Sequence, residues 1–177
     1  MKKKKTSIKI HEFLLTFFYS GKAKKAPGTF GSLASVAFWL GISYLFYNKG
    51  VSIDYQNTFW ILFLSIILAY GSYASPIYAA HFKNVDHPSI VLDETLGQIL
   101  TLQMSYTIFY ERYFSNTSFM LTHLALSFVL FRLFDIKKPL LIGYYDRKLK
   151  NGFGVMFDDL IAGFVAGIIS IALFWFC

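Results

Sequence analysis

GVMFDDLIAGFVAG (residues 154–167) sets two adjacent aspartates, Asp158 and Asp159, directly before an apolar run that continues through residue 177. On a helix, Asp159, Gly163 and Gly167 recur at i, i+4 and i+8, so a carboxylate stands above a seam of small residues of the kind that lets membrane helices approach closely. An acid facing lipid is costly unless it is partnered. The seam is therefore expected to face the interior of a helix bundle.

The rest of the chain fits such a bundle. Its 177 residues are 55% hydrophobic and 20% aromatic, with a mean hydropathy of +0.48, more apolar than ordinary soluble domains. Charge-free windows lie at 26–48, 55–80, 95–110, 113–131 and 160–177. A spanning helix takes about 20 mostly apolar residues, so the window at 55–80 is long enough and the one at 95–110 is marginal. The expected fold is all-α: a polytopic membrane bundle of four or five spans. The N-terminal run is broken by Lys9, His11 and Glu12 before it builds a signal-peptide core. It reads instead as a short interfacial helix with Phe13, Leu14, Phe17 and Phe18 at the boundary. Residues 1–25 form a basic segment and 26–177 one membrane-embedded domain. Cys177 is the single cysteine, so no internal disulfide points to an oxidising compartment.

With five spans and a cytoplasmic N-terminus, 15 of the 17 Lys and Arg residues fall on the inner side, and only Lys49 and Arg112 fall outside. That is the positive-inside asymmetry. The net charge of +7 then reflects topology and affinity for anionic lipid rather than nucleic-acid binding, for which no RNP-like, zinc-finger or helix-turn-helix pattern is present.

On this topology six of the ten acids, Asp86, Asp93, Glu94, Asp135, Asp158 and Asp159, map to the cytoplasmic ends of spans. Acids in a first helical turn serve as caps, but Asp135 lies at the C-terminal end of its span, where the helix dipole disfavours a negative charge. Two unit charges about 5 Å apart repel by roughly 3 kcal/mol at an effective dielectric of ~20. A cluster of them calls for protonation or a bound cation. An all-oxygen donor set without sulfur suits a hard ion, Mg²⁺ where a substrate phosphate completes the shell. His87 lies inside the acidic stretch, where it is either structural or a further ligand.

Phosphate-binding groups occur on the same face. In GKAKKAPGTFGSL (residues 21–33) Pro27 pre-sets a helix start, Gly28 and Gly31 allow close backbone approach, and Thr29 and Ser32 offer hydroxyls at a helix N-terminus, just after Lys22, Lys24 and Lys25. It is not a Walker A loop. Arg132 and Lys137 flank Asp135. Acids for a metal and bases for a phosphate on one surface indicate phosphoryl chemistry.

APGTFGSL, VLDETLGQ, FRLFDIKKP and GVMFDDLIAG, in this order across residues 26–163, closely resemble the phosphatidylglycerophosphatase A family. The resemblance implies a multi-pass enzyme of the bacterial inner membrane with its active site facing the cytoplasm. Such an enzyme is a Mg²⁺-dependent phosphatase that removes the terminal phosphate of phosphatidylglycerophosphate to give phosphatidylglycerol. Carried onto this sequence, it implies Asp86, Asp93, Glu94, Asp158 and Asp159 as metal ligands. For phosphoryl chemistry Lys25, Thr29, Ser32, Arg132 and Lys137 are then assigned to the phosphate, and Asp93, Asp135 and Asp159 to catalysis. Asp135 is either a ligand or the base for a water, and an Asp nucleophile is equally available. The chain departs from the family at Leu140-Leu141-Ile142, where a further proline is expected. Two other classes compete. A metal-ion or proton transporter would place its acids nearer the bilayer midplane, and a CDP-alcohol phosphotransferase would carry a D-G-x-x-A-R signature that is missing.

Overall fold

The apolar windows become helices, and the helices run past the windows wherever an acid turns inward. The computed structural model describes residues 2–80, 87–139 and 151–175. Seven α-helices and no strand occur among them: α1 (Lys2–Leu15), α2 (Pro27–Asn48), α3 (Ile53–Ala79), α4 (Leu92–Ile108), the short α5 (Tyr110–Tyr113), α6 (Thr117–Lys137) and α7 (Gly152–Trp175). Four of them, α2, α3, α6 and α7, are long and apolar enough to cross a membrane. The window ending at residue 131 stops six residues short of the end of α6, and the window starting at 160 misses the first two turns of α7. Charge excludes those turns from a window; burial of the charge keeps them in the helix.

The marginal window belongs to α4, which is short and polar because lipid does not reach most of it. Leu92, Leu96, Ile99, Leu102 and Tyr106 are buried, and so are Thr95, Gln98, Thr101, Gln103 and Ser105. Its most extensive packing is against α7. The small residues of the seam make this possible: a side chain at Gly163 would meet the backbone of Gly97, with Gly97 Cα only 2.7 Å from the added Cβ. At the crossing Thr101 Oγ1 donates to Gly163 O (3.0 Å). A stripe of glycines thus brings two backbones together and sets the carboxylates one turn above the crossing side by side.

In the far half of the bundle the polar residues of α4 satisfy one another and their neighbours. His123 on α6 is fully buried between Tyr113 Oη (2.9 Å from Nδ1) and Ser105 Oγ (2.5 Å from Nε2). Trp39 Nε1 donates to Gln103 Oε1 (2.8 Å) and Gln103 Nε2 to Asn57 Oδ1 (2.8 Å). Such bonds fix helix register where hydrophobicity alone does not discriminate between faces.

At the other end the N-terminal segment straps the entry to α4. His11 Nδ1 lies 2.8 Å from Tyr70 Oη on α3, Lys22 pairs with Glu12 at 2.5 Å, and Val91 N donates to Leu15 O (2.9 Å). The Glu12 carboxylate, by bonding the ammonium, raises the Lys22 pKa. Lys24 lies near Ser89 at the start of α4 and Ser115 follows α5 beyond its other end, so these exposed residues sit at opposite ends. In a Cys177→Ser background, only one of Lys24→Cys and Ser115→Cys in intact cells should react with an impermeant thiol reagent; the cytoplasmic N-terminus expected from the basic residues makes it Ser115→Cys. Labelling of both from one side would refute the threading.

Candidate metal and phosphate site

The first turn of α4 supplies Asp93 and Glu94, and the second turn of α7 supplies Asp159. One carboxylate oxygen from each of the three lies within 4.8 Å of the other two. Asp93 and Asp159 are buried, and Glu94 is mostly covered. Capping does not explain this geometry. Asp159 lies well inside its helix, and the Asp93 Oδ1 acceptor is spent on the adjacent Glu94 N (3.0 Å) rather than on a donor one turn on.

Two further acids sit beside this trio, each with its own base. Asp135 Oδ2 accepts from Arg132 Nη1 at 2.5 Å across one turn of α6, which explains an acid at a helix C-terminus: the guanidinium outweighs the dipole. The same Nη1 is 3.8 Å from Glu94 Oε1. Asp158 Oδ2 pairs with Lys138, the residue in left-handed conformation that ends α6. Five carboxylates therefore share two cations within ion-pair reach among the described residues. The excess negative charge, all of it on oxygen, fits a hard divalent cation.

The glycine-rich entry meets these acids directly. Ala26 takes a left-handed conformation and Pro27 opens α2, which brings Gly28 against the Glu94 carboxylate. A Cβ there would collide with Glu94 Oε1 and lie 3.1 Å from Arg132 Nη1. Gly31 is pressed against Val91. Thr29 is half-buried and Lys25 and Lys137 are exposed. Ser32 is buried and its hydroxyl donates to Gly28 O (3.0 Å), so it braces the helix start. His87 Nδ1 lies 2.8 Å from Ser89 Oγ in the loop before α4. Asp86 lies outside the described residues.

Comparison with known proteins matches residues 13–174 to the family model for phosphatidylglycerophosphatase A. The chain belongs to the phosphatidylglycerophosphatase A family. It is 35% identical over 159 residues to the phosphatidylglycerophosphatase A of Haemophilus influenzae, covering 89% of this chain and 85% of the relative. It is 33% identical over 153 residues to that of Escherichia coli, covering 86% and 77%. No solved structure matches.

For this phosphatidylglycerophosphatase A family member the structure gathers Asp93, Glu94, Asp159, Asp135 and Arg132 into one site and ties Asp158 to Lys138. Two participants were not singled out by the sequence reading. Lys138 stands in the sequence only as one of the inner-side bases, although its place directly after a helix end is a signal for a C-terminal cation. Gln98, a buried amide four residues after Glu94, could have been found as a polar residue at helical spacing from an acid inside a charge-free window.

Proposed function

We propose that this protein hydrolyses the terminal phosphate monoester of phosphatidylglycerophosphate to phosphatidylglycerol. It would do so as a Mg²⁺-dependent phosphatase of the bacterial inner membrane, with its site on the cytoplasmic face and residues 1–25 as a basic segment on that side. The observation that carries the reading is the carboxylate trio of Asp93, Glu94 and Asp159 beside Arg132, in a chain of this family. A phosphate monoester needs its oxygens neutralised and a nucleophile placed in line. Asp93, Glu94 and Asp159 would hold the cation; when bound, it supplies charge neutralisation of the phosphoryl group. Arg132, fixed by Asp135, takes a phosphoryl oxygen through a charge-assisted bond. Thr29 and Lys25 at the start of α2, with Lys137 opposite, receive the phosphate as it arrives. Asp158, held by Lys138, keeps a second negative charge close to the trio. The transporter alternative gains no support, because these acids lie within the first two or the last turn of their helices rather than at mid-span, and Arg132 and Lys138 are each engaged with one of them.

The reading is tested by phosphate release from a panel of lipid phosphates by the purified protein in detergent. Phosphatidylglycerophosphate should exceed phosphatidic acid by at least about tenfold in kcat/KM, a discrimination of about 1.4 kcal/mol. Equal rates on all lipids would reject the assigned substrate. On a water-soluble short-chain substrate, Thr29→Val and Lys25→Met should each lower kcat about tenfold, since contacts that strengthen in the transition state act on kcat. Full activity of Lys25→Met there would reduce this lysine to an attractor of anionic lipid.

A further inference from the structure

One turn below the carboxylates, α4 carries a polar group that neither the cation nor the ion pairs explain. Gln98 is fully buried, and neither its amide oxygen nor its amide nitrogen has a hydrogen-bond partner among the described residues. Buried amides are nearly always satisfied, so a bare one marks the place of something that binds there. Gln98 follows Glu94 by four residues, which puts the two on one helix face with Cβ atoms about 5–6 Å apart. Two more buried atoms of the site are equally bare: Glu94 Oε2, an acceptor, and Arg132 Nε, a donor. A cation would serve the two oxygens and leave both nitrogens bare. An anion would serve the nitrogens and leave the oxygens bare. A water both donates and accepts, and about two to four partners are what holds one in a protein interior.

We propose that Gln98, with Glu94 and Arg132, holds the water that attacks phosphorus, which makes Gln98 a positioning residue for hydrolysis. This inference rests on the phosphatase reading above. Gln98 lies about 6 Å further along α4 than Glu94, away from the end at which α2 opens. A phosphoryl group held by Arg132 with its glycerol oxygen toward that opening is attacked in line from the side of Gln98. The water oxygen bonds to phosphorus as the bond from phosphorus to the glycerol oxygen breaks. The water proton passes to a phosphoryl oxygen, and the leaving oxygen takes a proton from solvent at the opening.

The test uses the full chain in detergent with Gln98→Leu, which keeps the volume and removes both polar atoms. Its kcat should fall about 10²-fold, the cost of a misplaced reactant. KM and the inhibition constant of inorganic phosphate should stay within about twofold, because substrate binding is untouched. Its thermal midpoint should equal or exceed that of the wild type, since no bare amide is left behind. Gln98→Asn, with the amide drawn back by one methylene, should recover part of the kcat. An unchanged kcat in Gln98→Leu, or a weakened phosphate affinity with kcat retained, overturns the proposal. Should the Leu protein not fold, the Asn protein decides in the same way: a lowered kcat at constant KM supports the water site and an unchanged kcat rejects it. An inactive wild type would instead remove the phosphatase reading, whereas an active wild type beside an equally active Gln98→Leu removes this inference alone.

Discussion

Asp159→Asn is expected to fold as the wild type does and to lose about 10³-fold in phosphate release, the scale on which a single preorganised electrostatic contact acts in a water-poor site. The substitution keeps the size of the side chain and removes a charge from a trio whose oxygens lie within 4.8 Å of one another. Without a divalent cation the variant's thermal midpoint should therefore match or exceed that of the wild type, because one mutual repulsion is gone. With cation the order reverses. A ligand that binds only the folded state at 100 times its dissociation constant stabilises by about 2.7 kcal/mol, so added Mg²⁺ should raise the wild-type midpoint and leave Asp159→Asn nearly still. A cation-dependent rise of equal size in both proteins would return Asp159 to the role of a helix-end charge.

Gly163→Leu is expected to be the most damaging single change in the bundle. The new side chain would meet the backbone of Gly97, including its Cα and carbonyl carbon, and a backbone held in a helix cannot rotate aside as a side-chain tip does. We expect a loss of at least about 3 kcal/mol, the upper range of overpacking. The result should read as low yield of folded protein and loss of activity, because the crossing of α4 and α7 sets the spacing of Asp93 and Glu94 from Asp159. Gly41→Ala in α2 is the control. Nothing lies within 4 Å of the added carbon, so this change should stabilise by about 0.5–1 kcal/mol through helix propensity alone. Equal tolerance of both substitutions would mean that the glycine seam is not a packing surface.

The helices were legible because lipid-facing surface is apolar whatever the function, and the windows at 26–48 and 55–80 differ by at most two residues at either end from α2 and α3. The same reasoning cut α6 and α7 short at their most important turns. A hydropathy window treats Asp135, Asp158 and Asp159 as solvent, whereas the structure turns these acids toward one another and toward Arg132 and Lys138. The inward direction of the seam followed from its spacing alone, since Asp159, Gly163 and Gly167 share a face, and that face meets Gly97 and Met104 of α4. Pairings across helices were not legible. That Lys138 goes to Asp158, that Gly28 lies on the Glu94 carboxylate, and that Ser32 turns back to Gly28 O rather than outward depend on helix rotation and stagger. Local spacing does not encode those quantities. Gln98 escaped for a related reason: an uncharged amide inside an apolar run looks tolerable until its neighbours are known.

If Asp93, Glu94 and Asp159 hold a cation for phosphate hydrolysis, activity depends on that cation. The most direct test is the rate of phosphate release from phosphatidylglycerophosphate by protein stripped with a chelator, titrated with Mg²⁺ and compared with Asp159→Asn under the same conditions. No release is expected without cation, with saturable recovery in the wild type and a rate about 10³-fold lower in the variant at saturating Mg²⁺. Undiminished release by the stripped wild type, or a variant that recovers fully with Mg²⁺, would contradict this assignment.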